Sequence, residues 1–139
     1  MHDTTTVAAP AFGRMTIRLT LGMLVMLVLV GCAGTPQFTD LQARVVPPEP
    51  LTLTDDAELN VRLSDADGTL AETTLTHLDT PPWAVALRHD SRALEDARSP
   101  QLSAELRQRG ELTHATSEPV LLEESDPDEA VILPLAPRQ

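Results

Sequence analysis

Asp56-Ala57-Glu58-Leu59-Asn60-Val61-Arg62-Leu63-Ser64 decides how the chain is built. Ala57, Leu59, Val61 and Leu63 alternate with Glu58, Asn60, Arg62 and Ser64. A period of two sends the first set to one face of a strand and the second set to the other. The expectation is a half-buried β-strand. It ends at Asp65-Ala66-Asp67-Gly68, a turn in which Gly68 takes a positive φ at little cost.

The same alternation recurs on the C-terminal side. A weaker, Thr-rich strand is expected from Leu70 to Leu78, and Pro81-Pro82 then breaks the chain. Trp83, Val85 and Leu87 alternate with Ala84, Ala86 and Arg88. Val131, Leu133 and Leu135 alternate with Ala130, Ile132 and Pro134; a proline has no N–H to give a ladder, so Pro134 predicts an edge or a strand end. Residues 99–110 admit two readings. Ser99 as N-cap, Pro100 at N1 and Gly110 just past the end would frame a helix with Leu102 and Leu106 on one face. Yet Leu102, Ala104 and Leu106 also alternate, and Arg109-Gly110 would then turn a hairpin into Glu111–Thr116. After Cys32 the aromatic residues are Phe38 and Trp83, so the core has to be aliphatic, with Trp83 in it.

On the N-terminal side, Pro47-Pro48-Glu49-Pro50 excludes a central strand or a helix. Further back, Leu19–Val30 reads LTLGMLVMLVLV, 12 residues without a charge. As a helix it spans about 18 Å against roughly 30 Å of hydrocarbon, too short to cross but right for a signal-peptide core. Arg14 and Arg18 supply its positive flank, and Leu29-Val30-Gly31-Cys32 matches a bacterial lipobox. The Cys32 thiolate is the nucleophile that takes the diacylglycerol, and small Gly31 admits the peptidase to the bond before it. Cys32 is thus the expected lipidation site and the first residue of the mature chain. Several acyl chains, palmitate among them, anchor stably where one does not. Ala33 occupies the position where Asp favours inner-membrane retention in enterobacterial lipoproteins, which points to the outer membrane. The expected division is a lipoprotein signal peptide at 1–31 (with Met15 as an alternative start), a lipidated tether at 32–39 and one small domain at 40–139.

Charge excludes other roles. From Cys32 onward 20 Asp and Glu stand against 8 Arg, a net charge of −12, and the chain has no lysine. Such a body neither follows nucleic-acid phosphates nor adheres to anionic lipid. A single cysteine excludes a disulfide framework, a cysteine zinc cluster and, once acylated, thiol chemistry. Glu123-Glu124-Ser125-Asp126-Pro127-Asp128-Glu129 carries five acids in seven residues, but neither it nor Asp65-Ala66-Asp67-Gly68 has the ligand spacing of a calcium loop, so it reads as a solvated acidic hairpin. His77, His89 and His114 lack metal-ligand spacing and read as surface histidines. His89-Asp90-Ser91 has the residue types of a hydrolytic triad, but adjacent residues cannot adopt its geometry. No catalytic residue, cofactor or metal is expected.

The order of these features resembles the YbaY/YscW-type family of bacterial lipoproteins, which includes type III secretion pilotins. The resemblance rests on the proline-rich lead and Asp56-Ala57-x-Leu59-x-Val61-x-Leu63. It continues through Pro82-Trp83-x-Val85-x-Leu87, then Asp90, Leu102-x-Ala104-x-Leu106, and Gly110-x-Leu112 ahead of Thr116. It covers about residues 43–135. Pro100 departs from the pattern, which has a tyrosine there. The resemblance favours a strand at 101–108 and implies an all-β domain: a small antiparallel β-sandwich, Greek-key or Ig-like, of six to eight strands. It also implies a non-catalytic binding or assembly lipoprotein on the periplasmic face of the outer membrane, with a protein partner in the envelope. Two alternatives are a structural or envelope-homeostasis lipoprotein without a tight partner, and a small carbohydrate binder or enzyme with a polar pocket around Trp83.

Overall fold

The computed structural model describes residues 35–139. The lipobox residues Gly31 and Cys32, and the expected signal peptide, lie outside the described residues. Eight strands follow one another: β1 (Phe38–Val46), β2 (Glu58–Asp65), β3 (Gly68–Thr76), β4 (Trp83–Asp90), β5 (Gln101–Gln108), β6 (Glu111–Thr116), β7 (Val120–Leu121) and β8 (Val131–Pro137). One helical turn and a half, α1 (Ser91–Glu95), follows β4, and a 3₁₀ turn spans Leu122–Glu124. The all-β expectation holds, with eight strands.

The strands run in the order β3-β2-β5-β6-β8-β1-β4, with β7 paired to the start of β5. They form one mixed sheet that curls until it is nearly closed into a barrel, rather than two separate antiparallel layers. Alternation dictates which face of a strand is buried but not which strand lies beside it, so this path was not readable from the pattern. Among the described residues one ladder is parallel, that of β1 with β8, with Ala43 beside Val131 and Val45 beside Leu133.

Every alternating apolar set points into the barrel. Leu59, Val61 and Leu63 on β2 meet Leu102, Ala104 and Leu106 on β5, all at most 1% exposed. Trp83, Val85 and Leu87 on β4 and Val131, Leu133 and Leu135 on β8 close the core opposite them. Residues 101–108 are therefore a strand. A lone short helix would hide one stripe, whereas β5 pairs with β2 along its length and buries four side chains.

Pro134 occupies neither an edge strand nor a strand end. β8 pairs with β1 over Val131–Pro134 and with β6 over Leu135–Pro137. The proline stands where the strand changes partner, the one place inside it where a missing N–H costs little. The turn chemistry follows expectation. Asp65 Oδ1 accepts the N–H groups of Asp67 (2.9 Å) and Gly68 (3.0 Å), and Gly68 has φ +149°. Arg109 (φ +55°) and Gly110 (φ +77°) form a two-residue hairpin between β5 and β6; positive φ at both positions is the geometry whose twist suits a hairpin.

The two ends of the barrel differ. At the end where β5 finishes, buried Gln108 accepts the Thr54 N–H at 2.8 Å and donates to Thr113 Oγ1 at 3.4 Å. That amide ties the loop before β2 across the sheet. The opposite end, where β1 begins and β4 finishes, is covered by α1 and the 3₁₀ turn.

Adjacent residues of β8 make a test of this core. Leu133→Ala should cost about 2–5 kcal/mol, the range for opening a cavity in a closed core, because Leu133 is 0% exposed. Ile132→Ala, at a side chain 52% exposed, should cost under about 1 kcal/mol. Urea unfolding of the two variants measures the difference.

Candidate functional site

The inner face of β4 does not stop at Leu87. His89 is the next residue in the same alternation, and it is only 4% exposed. This corrects the expectation of a surface histidine: the period of two that buries Trp83, Val85 and Leu87 carries His89 inward with them. The signal was present in the sequence, but the polar side chain obscured it. His77 is exposed beyond β3, and His114 is half-buried on β6. Among the described residues, no three His, Cys, Asp or Glu side chains converge on a metal position.

His89, Asp90 and Ser91 turn to different partners. Asp90 caps α1 by accepting the Arg92 N–H at 3.0 Å. The Ser91 hydroxyl donates to the Gln37 carbonyl at 3.1 Å. The His89 Nδ1 lies 3.3 Å from the Leu87 carbonyl oxygen. A carbonyl only accepts, so Nδ1 carries the proton, and in the neutral ring Nε2 is left with its lone pair.

A cavity of about 330 Å³ opens beside this ring. Thr39, which pairs with His89 across the β1–β4 ladder, stands at one side. Leu41, Leu94 of α1, Leu122 of the 3₁₀ turn and Val131 supply apolar walls, and exposed Asp40 and Asp126 border it. The site is thus assembled by β1, β4, α1 and the approach to β8, segments far apart in sequence.

No protein-family model matches the sequence, and none of the curated proteins compared with it matches either. The fold is similar to a pilotin's. A solved structure, that of an alternative pilotin from the type II secretion system of Vibrio cholerae, superposes with a TM-score of 0.66 at 20% identity. The match covers 74% of this chain and 99% of that one. At that identity the likeness is one of fold.

The remaining sequence candidates settle into structural roles. Trp83 is 5% exposed and donates its indole N–H to the Asp79 carbonyl at 2.8 Å, which leaves no open ring face for a ligand to stack on. The acidic residues 123–129 link the 3₁₀ turn to β8. They do not form a hairpin, because β7 pairs with β5 whereas β8 pairs with β1 and β6. Asp126 Oδ1 accepts the Asp128 N–H at 2.9 Å, so one of its oxygens serves its own turn. On the outer surface Ile132, Val46 and Phe38 are exposed, and the Arg88 guanidinium lies 5.2 Å from the centroid of the Phe38 ring.

Two exposed carboxylates are held below their ordinary range. Glu72 on β3 is lowered by the Asn60 amide, which donates at 2.6 Å, and then by Arg62 at 3.4 Å. The Thr54 hydroxyl, donating at 2.6 Å, lowers Asp56. Both shifts favour the ionised form, the reverse of what a general acid needs. A depressed folded-state pKa adds stability above the unfolded-state value, and that contribution is lost as pH falls through the folded-state value. Asn60→Ala should therefore raise the Glu72 pKa toward the ordinary carboxylate range, as read by carbon-detected NMR titration.

Proposed function

We propose that this chain is a lipid-anchored assembly protein of the bacterial envelope, acting by binding rather than catalysis. In this reading Cys32 carries the acyl chains, the domain faces the periplasm from the outer membrane, and its partner is a secretin subunit of a secretion system. The observation that carries the reading is the backbone likeness to a secretion-system pilotin, which spans almost the whole of that protein. Two features of the sequence support it. One is the lipobox Leu29-Val30-Gly31-Cys32 behind an uncharged stretch of signal-peptide length. The other is the ordered resemblance to YbaY/YscW-type lipoproteins over residues 43–135. The buried Trp83 disfavours a carbohydrate platform.

The chemistry of the anchor sets the logic. Acyl chains hold the domain at a membrane from which its own net negative charge would repel it. A partner bound to the domain is therefore carried wherever the lipid goes. Crosslinking of the lipidated protein in its native envelope, followed by mass spectrometry, is expected to capture a secretin. Cys32→Ser should abolish lipid attachment, measured by incorporation of labelled palmitate, and remove the captured secretin from the outer-membrane fraction. Capture of only those envelope proteins that an inert lipoprotein also captures would overturn the assembly reading in favour of a structural one.

A further inference from the structure

We propose that the cavity beside His89 is a receptor for a cationic side chain, an arginine or lysine presented by a partner polypeptide. The assembly reading supplies only the polypeptide; the preference of the cavity for a cation stands on separate observations. His89 is 4% exposed, and its Nδ1 faces the Leu87 carbonyl. Among the described residues no protein group bonds its Nε2. His89 lines the cavity, and with Nδ1 donating to the Leu87 carbonyl the acceptor of the neutral ring is Nε2. An unprotonated ring nitrogen needs a donor.

The rest of the cavity narrows the donor's chemistry. Leu94 and Leu122 offer apolar contact to an alkyl stem. Asp40 and Asp126 at the border favour a positive head, and the excess of acids over the whole domain draws such a group in. A volume near 330 Å³ accommodates one long side chain rather than a helix or a sugar chain. A guanidinium fits best, because it can donate to Nε2 and to a carboxylate at once. The cavity sits at the barrel end where β1 begins.

The test uses the full lipidated chain in nanodiscs, with methyl and histidine labels, titrated with n-butylguanidinium and, separately, 1-pentanol and butyrate. Saturable shifts of the Leu94 and Leu122 methyls and the His89 ring are expected with butylguanidinium, at least about ten-fold tighter than with pentanol, as for charge-assisted hydrogen bonds. Butyrate should not bind. Asp126→Asn keeps the Oδ1 that accepts the Asp128 N–H but removes the charge, and should weaken butylguanidinium several-fold. His89→Phe should abolish its preference over pentanol. If His89→Phe does not fold, Asp126→Asn and the pentanol comparison decide alone. Pentanol binding as tightly as butylguanidinium, or an absence of saturable shifts, would overturn the inference. Secretin capture without butylguanidinium binding would sink this proposal and leave the assembly reading standing; the converse would sink only the assembly reading.

Discussion

The parallel ladder between β1 and β8 is the joint on which the domain depends. β4 belongs to the sheet only through β1, and β1 reaches the other strands only through β8. Without that ladder the β1–β4 pair would hold to the other strands only by the packing of Trp83, Val85 and Leu87 in the core, with no strand ladder to fix it. The two strands lie at opposite ends of the domain sequence, so the chain closes its longest loop before the core is complete. Such non-local pairing favours slow folding. It also explains why β8 changes partner part-way along: one half holds β1, and the other half holds β6.

That joint brings the two kinds of barrel end into being. Where β5 and β8 finish, the Gln108 amide stitches the Thr54 loop across and closes the barrel with polar bonds. Where β1 begins, the Ser91 N–H (2.8 Å) and hydroxyl (3.1 Å) donate to the Gln37 carbonyl. α1 and the 3₁₀ turn pack Leu94 and Leu122 against the core there and leave a cavity that the inward His89 lines. The core between the two ends is almost wholly aliphatic and very evenly buried, and its single indole is occupied with its own loop. A small domain of this kind has little stability to spare, which is consistent with its few buried polar groups, two among the described residues, sitting one at each end.

Much of this was legible in the sequence. The strands at 58–65, 83–90 and 131–137 announced themselves by alternation, and the hairpins at Asp65–Gly68 and Arg109–Gly110 by their turn residues. β1 did not, because Phe38-Thr39-Asp40 at its start face solvent and blur the period that Ala43 and Val45 keep. α1 was too short to show a periodicity, and its cap, Asp90, looked like part of a polar triplet. The neighbour relations of the strands lay beyond any local pattern, since the β1–β8 pairing joins residues some ninety apart. The candidate site was missed for the same reason: its walls come from four separate segments. One of its residues, His89, could have been placed by extending the alternation of β4 by a single step.

Under the proposed function, the domain delivers a bound secretin to the membrane its lipid selects. The most direct measurement is density-gradient separation of inner and outer membranes from cells with and without this protein, probing for assembled secretin multimers. With the protein present, multimers should sediment with the outer membrane; without it, they should be lost or shift to the inner membrane, and the wild-type chain but not Cys32→Ser should restore them. Unchanged secretin assembly and placement in its absence would contradict the claim.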